Sequence, residues 1–332
     1  MSTLNKETHI LRTLLQTPRE FVTGSKLADE LKVTRVAVWT YMEKLREEGF
    51  HFDAIRNRGY RLRRLPLQLS EAYLQARLPQ LAQRGGLHVL DEVDSTNNEA
   101  ERLLAAGNPT PLVVLAKKQT QGRGRLGRLW ESESSGNFYG SFAFRPGLAP
   151  IRMQPFTLWM GLTACRFLEE IGNLKPQLKW PNDIMFNGRK AGGILTEARV
   201  DSDVMRDLVL GLGLNVGSIP QLKDSGPYHY APTSLTSVAK REISLNSFTV
   251  ALIETLLEAY RVFHEDRYHD AFRRLWARYD MLGGKDIEAR SGTGKWFGRV
   301  KGLRPDGALI IEEKGGGEKA LVSGEVSLAA QP

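Results

Sequence analysis

Lys117-Lys-Gln-Thr-Gln-Gly-Arg-Gly-Arg-Leu-Gly-Arg-Leu-Trp130 carries five Lys/Arg and no Asp/Glu in fourteen residues. Gly122, Gly124 and Gly127 alternate with Arg123, Arg125 and Arg128. Glycine lets backbone N–H groups approach an anion closely and adopts positive φ freely. Guanidinium groups clasp carboxylate or phosphate through paired hydrogen bonds. The apolar run Leu112–Ala116 before it reads as a buried strand, so the basic segment leaves the end of a sheet as a mobile loop suited to an anionic ligand. A solvated basic surface loop, or a segment touching nucleic acid, explains the same residues taken alone.

Working outward, strands and helices alternate from Leu87 onward without the regular spacing of a doubly wound fold. A strand at His88–Asp91 precedes Asp94-Ser-Thr-Asn97, where Ser95 or Thr96 either caps the following helix or faces a polar ligand. Beyond the loop come a strand at Asn137–Phe144, a buried helix from Pro155 to Ile171, and Lys179-Trp-Pro-Asn-Asp183 at a strand end. Arg189-Lys-Ala-Gly-Gly-Ile-Leu195 and Gly211-Leu-Gly-Leu-Asn215 lie on two further strands, and helices follow at Ser247–Phe263 and Tyr268–Tyr279. One mixed sheet with packed helices is expected.

Residues 1–66 read as a separate head. Two short helices precede a third from Thr34 to Glu48, whose inner face is assigned to Val36, Val38, Met42 and Leu45. Two strands around Arg56-Asn-Arg-Gly59 complete a winged helix-turn-helix. Arg35, Ala37, Trp39, Thr40, Lys44, Arg56 and Arg58 are the candidates to face DNA, although Trp39 packing on the wing is equally consistent. The head holds 13 Lys/Arg against 8 Asp/Glu, a net of +5 within the chain's +8, which suits phosphate contacts. A winged helix serving only as a protein-interaction module remains the alternative.

At the other end, short strands divided by glycine-rich turns predict a small β-barrel resembling an SH3 domain. The expected architecture is therefore an α+β multidomain chain: winged helix-turn-helix over 1–66, a central mixed-sheet α/β domain over 67–280, and the barrel over 281–332. No apolar run approaches the roughly 18 residues of a membrane span, and a polar N-terminus places the protein in the cytoplasm. Cys165 is the only cysteine, which excludes an intrachain disulfide.

Five motifs in this order resemble the biotin–protein ligase family, and the head makes the chain similar to its bifunctional ligase/repressor branch. That resemblance covers essentially the whole chain and implies a class II synthetase-like central domain. It implies that the biotin carboxylate attacks the α-phosphate of ATP, giving biotinoyl-5′-AMP and pyrophosphate, after which an acceptor lysine displaces AMP. Fixed cations and Mg2+ are the implied catalysts. Lys179 and Arg123 are the implied catalytic residues. Biotin is assigned to Ser95, Thr96, Asn97, Gln119, Gly122, Arg123, Arg125, Lys179, Gly192 and Gly213. Nucleotide is assigned to Arg125, Arg128, Trp130, Asn182, Lys190 and Asn215, and a metal ligand to Asp183. Implied partners are the biotin carboxyl carrier protein of acetyl-CoA carboxylase, other biotin-dependent carboxylases, operator DNA and a second copy of the chain, the dimer favoured by biotinoyl-AMP. A non-catalytic biotin sensor and a lipoate–protein ligase are the competing readings. Leu126 stands where close relatives often carry a basic residue, and Val322-Ser-Gly-Glu-Val-Ser327 lacks the tryptophan sometimes found just before its Gly-Glu pair.

Overall fold

The computed structural model describes residues 5–221, 230–291 and 294–329. In the head, α1 (Lys6–Gln16), α2 (Gly24–Leu31) and α3 (Arg35–Glu47) are each capped by a side chain: Asn5, Thr23 and Thr34 accept backbone N–H groups of their first turns. Ile10, Leu11, Leu14, Leu27, Val38, Met42 and Leu45 form the shared core. Val36 departs from its expected inner position and is 73% exposed. Val38, Met42 and Leu45 follow i, i+4, i+7 and fix the buried stripe, whereas two residues earlier lies about 200° round the helix. The wing is β1 (His51–Ile55) paired antiparallel with β2 (Gly59–Arg64). A Cβ at Gly59 (φ +103°) would overlap the Val22 carbonyl, so this turn requires glycine.

After α4 (Glu71–Arg77) and α5 (Pro79–Gln83), the central domain opens with β3 (Leu87–Val93), α6 (Thr96–Ala105) and β4 (Leu112–Gln119). The two strands are parallel neighbours joined by the helix, a single crossover unit. The rest is antiparallel: β5 (Phe138–Phe144), then α7 (Phe156–Gly172), β6 (Gln177–Lys179), β7 (Asp183–Phe186), β8 (Arg189–Asp201) and β9 (Val204–Leu214). Strand order is β3-β4-β5-β9-β8-β7-β6. There follow α8 (Leu235–Ala239), α9 (Leu245–His264) and α10 (His269–Tyr279).

Alternation along the strands divides the sheet into two faces. Phe138, Phe142 and Phe144 of β5 and Leu208, Leu210, Leu212 and Leu214 of β9 join the large core with α7 and α9. Leu112, Val114, Ala143 and Val209 pack with Ala100 and Leu104 of α6 on the opposite face. Cys165 is fully buried on α7, and burial pushes its thiol up. Among the described residues, no helix is long and apolar enough to cross a membrane.

The C-terminal expectation requires correction. The strands β10 (Asp286–Ser291), β11 (Gly294–Leu303), β12 (Leu309–Glu313), β13 (Glu318–Leu321) and β14 (Glu325–Leu328) form an open antiparallel sheet in the order β13-β12-β11-β10-β14. Among the described residues β13 and β14 do not pair, so the sheet is not closed into a barrel. Residues 322–324 carry the chain away from β13, and Gly324 (φ +145°) lies against the Arg290 backbone, seating β14 beside β10. Short strands and glycine turns are common to open and closed sheets, so the sequence pattern did not separate them.

The head is seated on the central domain by a buried side chain. Asn246, in the first turn of α9 and 0% exposed, donates through Nδ2 to the Pro66 and Gln68 carbonyls (2.9 and 2.8 Å) and accepts from the Ser70 N–H (2.8 Å). Ser70 caps α4 and donates to Glu48 of the head, while Thr8 of α1 donates to Gln75 of α4. Asn246→Ala strands three backbone groups and should lower the unfolding free energy by about 3 kcal/mol. Faster proteolysis within residues 64–70 should accompany the loss. Denaturant titration and mapped proteolysis check this; a variant unchanged in both would show that the clamp carries no load.

Candidate active site

The α6 side of the sheet is hollowed by missing side chains. Gly211 and Gly213 of β9 and Gly193 of β8 fall at outward positions of the alternation and line a cleft roofed by the 117–130 loop. The loop is compact: Trp130 N–H donates to Gly122 O (2.8 Å) and Gly124 N–H to Arg128 O (2.7 Å), around a 3-10 turn at Arg125–Gly127. Leu126 sits there at φ +56°, a strained setting for a branched side chain, and is 72% exposed. Trp130 packs its indole ring against Gly213 and Gly193, with Lys190 Nζ 5.5 Å from the ring centroid.

One end of the cleft is uncharged and buried. Ser95 precedes α6 without capping it; the cap comes instead from Gln119 at the end of β4, whose Oε1 accepts from Thr96 N–H at 2.8 Å. Gln119 Nε2 donates to Ser132 (3.1 Å), and the Ser132 hydroxyl donates to Trp130 O (2.9 Å). Ser141 of β5 donates to Asn97 Oδ1 at 2.6 Å. Ser95, Thr96, Asn97 and Gln119 are all at most 7% exposed.

The other end is cationic. Lys179 and Asp183 are register partners across the β6–β7 turn, which contains the cis Trp180–Pro181 bond. Lys179 Nζ lies 3.3 Å from Asp183 Oδ2, and Lys190 Nζ lies 2.6 Å from Oδ1. Burial pulls the Lys179 amine below the ordinary lysine range, with Lys190 adding to that effect and Asp183 opposing it. For Asp183, burial pushes the carboxyl up, but Lys190 and Lys179 outweigh it and hold the group below the usual carboxylate range. Arg125 is also lowered by burial, against Asp183 and Glu325, and its Nη1 donates to Asn182 Oδ1 at 3.2 Å. Asn182 in turn donates to Ile194 O at 2.7 Å.

Almost all the residues expected from sequence meet here. Only Gly122 and Gly192 fall outside the lining. Gly122 is packed beneath Ser132 and Trp130, and Gly192 faces the opposite side of β8 against Leu214. Arg123 points along the rim to Glu197 (2.7 Å), whereas Arg128 pairs with Glu325 of the C-terminal sheet. Glu325, Val326 and Tyr230 were not expected; Lys179 Nζ sits 5.1 Å from the Tyr230 ring. The Gly324-Glu325 pair was the available signal, but its assignment to another domain hid it. Two buried polar atoms of the cleft, Trp130 Nε1 and Asn215 Oδ1, have no hydrogen-bond partner among the described residues.

The DNA-facing candidates divide. Arg35, Trp39 (55% exposed), Thr40 and Arg56 are exposed, with Ala37 half-buried beside them. Thr40 Oγ1 returns a hydrogen bond to Val36 O. Lys44 faces α1, 3.5 Å from Glu7, and Arg58 stacks on Phe21 with its guanidinium 4.6 Å from the ring.

The fold joins a winged helix-turn-helix head to an α/β domain whose cleft is uncharged at one end and cationic at the other. Residues 89–215 match the Biotin/lipoate A/B protein ligase family, 6–61 an HTH domain, and 282–329 the Biotin protein ligase C terminal domain. The chain is 32% identical to the bifunctional ligase/repressor BirA of Bacillus subtilis, spanning 98% of this chain and 99% of that one. It is 29% identical to the Escherichia coli K12 protein of the same description, over 92% of this chain and 94% of that protein. The biotin protein ligase of Aquifex aeolicus, solved with biotin and ATP, superposes with a TM-score of 0.60 at 29% identity, covering 74% of this chain and 99% of its own. The chain belongs to the BirA family of bifunctional biotin–protein ligase/repressors.

The charge pairing at Asp183 sets a pH dependence. A carboxyl held low in the fold contributes stability that is complete above its unfolded pKa of about 4 and is lost as pH falls through the lower folded value. Asp183→Asn should therefore be less stable than wild type by about 3 kcal/mol at neutral pH. That gap should narrow as urea titrations move below about pH 4. A gap independent of pH would show that the carboxylate charge is not what holds the two lysines.

Proposed function

We propose that the chain adenylates biotin in this cleft, passes the biotinoyl group to a lysine of a biotin carboxyl carrier protein, and represses transcription through its head. The observation that carries the reading is the polarity of the cleft, uncharged and hydrogen-bonding at one end, with Lys179, Lys190 and Arg125 converging at the other. A urea-like head with a carboxylate tail fits that gradient, and the tail is delivered to the cations together with the ATP phosphates. The biotin carboxylate oxygen bonds to the α-phosphorus as the bond to the β-phosphate breaks. Lys179 and Arg125 stabilise the charge that builds on the phosphoryl oxygens. The acceptor amine then bonds to the acyl carbon, loses its proton and releases AMP. Arg123 and Arg128 close the loop at its rim, and Trp130, Asn182 and Asn215 receive the nucleotide.

Both Asp183 oxygens already face lysines, and no cluster of three or more His, Cys, Asp or Glu suited to a metal occurs among the described residues. The residues do not form a metal cage. Mg2+ is accordingly placed with ATP as part of the substrate, consistent with its habit of riding on phosphates. Asp183 fixes the lysines.

Biotin-dependent pyrophosphate release, with lipoate as control, tests the ligase. Release with biotin alone is expected; release with lipoate, or binding without release, would overturn the assignment. Lys179→Ala should fold and slow release by a factor of about a hundred or more. For the head, a homodimer favoured by biotinoyl-AMP places two copies of α3 on paired operator half-sites. Arg35→Ala and Arg56→Ala should each weaken binding and reduce the slope of log affinity against log salt by about one, leaving pyrophosphate release unchanged. Unaltered salt slopes would remove both residues from the DNA surface.

A further inference from the structure

The sequence motifs leave Glu197 of β8 unassigned. Its Oε2 accepts from Arg123 Nη2 of the loop and from Asn97 Nδ2 of the cleft, both at 2.7 Å. We infer that Glu197 is a positioning residue that ties the cationic loop to the uncharged end of the cleft and fixes the direction in which that end hydrogen-bonds. The inference rests on the biotin-ligase reading.

Ionised carboxylates only accept. Asn97 must therefore turn Nδ2 to Glu197 and Oδ1 to Ser141, whose hydroxyl donates to it. Ser141 Oγ, its one hydrogen given to Asn97, also lies 2.8 Å from Thr96 Oγ1. The Thr96 hydrogen thus goes into the wall, to Ser141 or to Gln119 Oε1 at 3.1 Å. Its oxygen can meet a ligand only as an acceptor. Glu197, through Asn97 and Ser141, makes this wall demand N–H donors. A cyclic urea supplies them; a dithiolane does not. Backbone room for the relay comes from glycine: a Cβ at Gly211 would overlap Asn97 Oδ1.

Two legs of unequal strength leave Glu197. Asn97 is 3% exposed, so losing its acceptor leaves a buried amide unpaired. The Arg123 leg is half-exposed and contributes less. It acts on closure of the loop rather than on affinity for the head of the ligand.

The full-length protein tests this through two readouts, the biotin dissociation constant by calorimetry and the half-life of preformed biotinoyl-adenylate on the enzyme. Glu197→Ala should weaken biotin binding about tenfold and shorten the half-life severalfold. Glu197→Gln keeps an acceptor for Asn97 and should recover most of the affinity, but with the charge gone the half-life should stay short. In an Arg123→Ala background, Glu197→Gln should shorten the half-life no further. A folded Glu197→Ala variant within about twofold of wild type in both readouts, or fully additive effects of Glu197→Gln and Arg123→Ala on the half-life, overturns the inference. Should Glu197→Ala not fold, an unchanged half-life in Glu197→Gln does the same. A wild-type chain that neither binds biotin nor releases pyrophosphate overturns the functional reading and this inference with it.

Discussion

Two lysines share one carboxylate at the edge of a sheet, and the architecture of the cleft follows from that. A buried ammonium group is tolerated only beside a counter-charge, and Asp183 serves Lys179 and Lys190 at once. That sharing requires β6, β7 and β8 to be neighbours in one register, with Lys179 opposite Asp183 across the hairpin. Two positive charges against one negative leave the site short of an anion, and Arg125 deepens the deficit. Two anionic substrates are drawn into a place already built to lack them. The C-terminal sheet adds to the same balance, because Arg128 of the loop finds its partner in Glu325.

Much of this was legible in the sequence because the chemistry and the strand period coincide. Glycines two apart in Gly211-Leu-Gly213 announce a face with no side chains, and Lys-Trp-Pro-Asn-Asp places charge at a strand end. Where the reading fell short, the missing information was three-dimensional. Gly192 and Gly193 are indistinguishable until the register assigns one to each face. Val36 looks like a core residue until the buried stripe of α3 is fixed by its neighbours. Strand spacing also gives no measure of whether a sheet closes, and the C-terminal sheet stays open. Contacts between distant segments, such as Arg123 with Glu197, leave no local trace at all.

Asn246 changes what kind of object the head is. With the linker backbone held to α9 at Pro66, Gln68 and Ser70, the winged helix is carried by the catalytic domain as a fixed bracket rather than on a tether. A tethered reader tolerates extra base pairs between its two half-sites, because the tether absorbs the change in distance and helical phase. A bracketed reader has no such slack. On the proposed two-fold dimer, the distance between half-sites would be written in the packing of α9 against residues 66–70, far from any residue that touches a base. Operator spacing would then be inherited from the enzyme, and one inserted base pair would be rejected by the rigidity of a hydrogen-bonded asparagine.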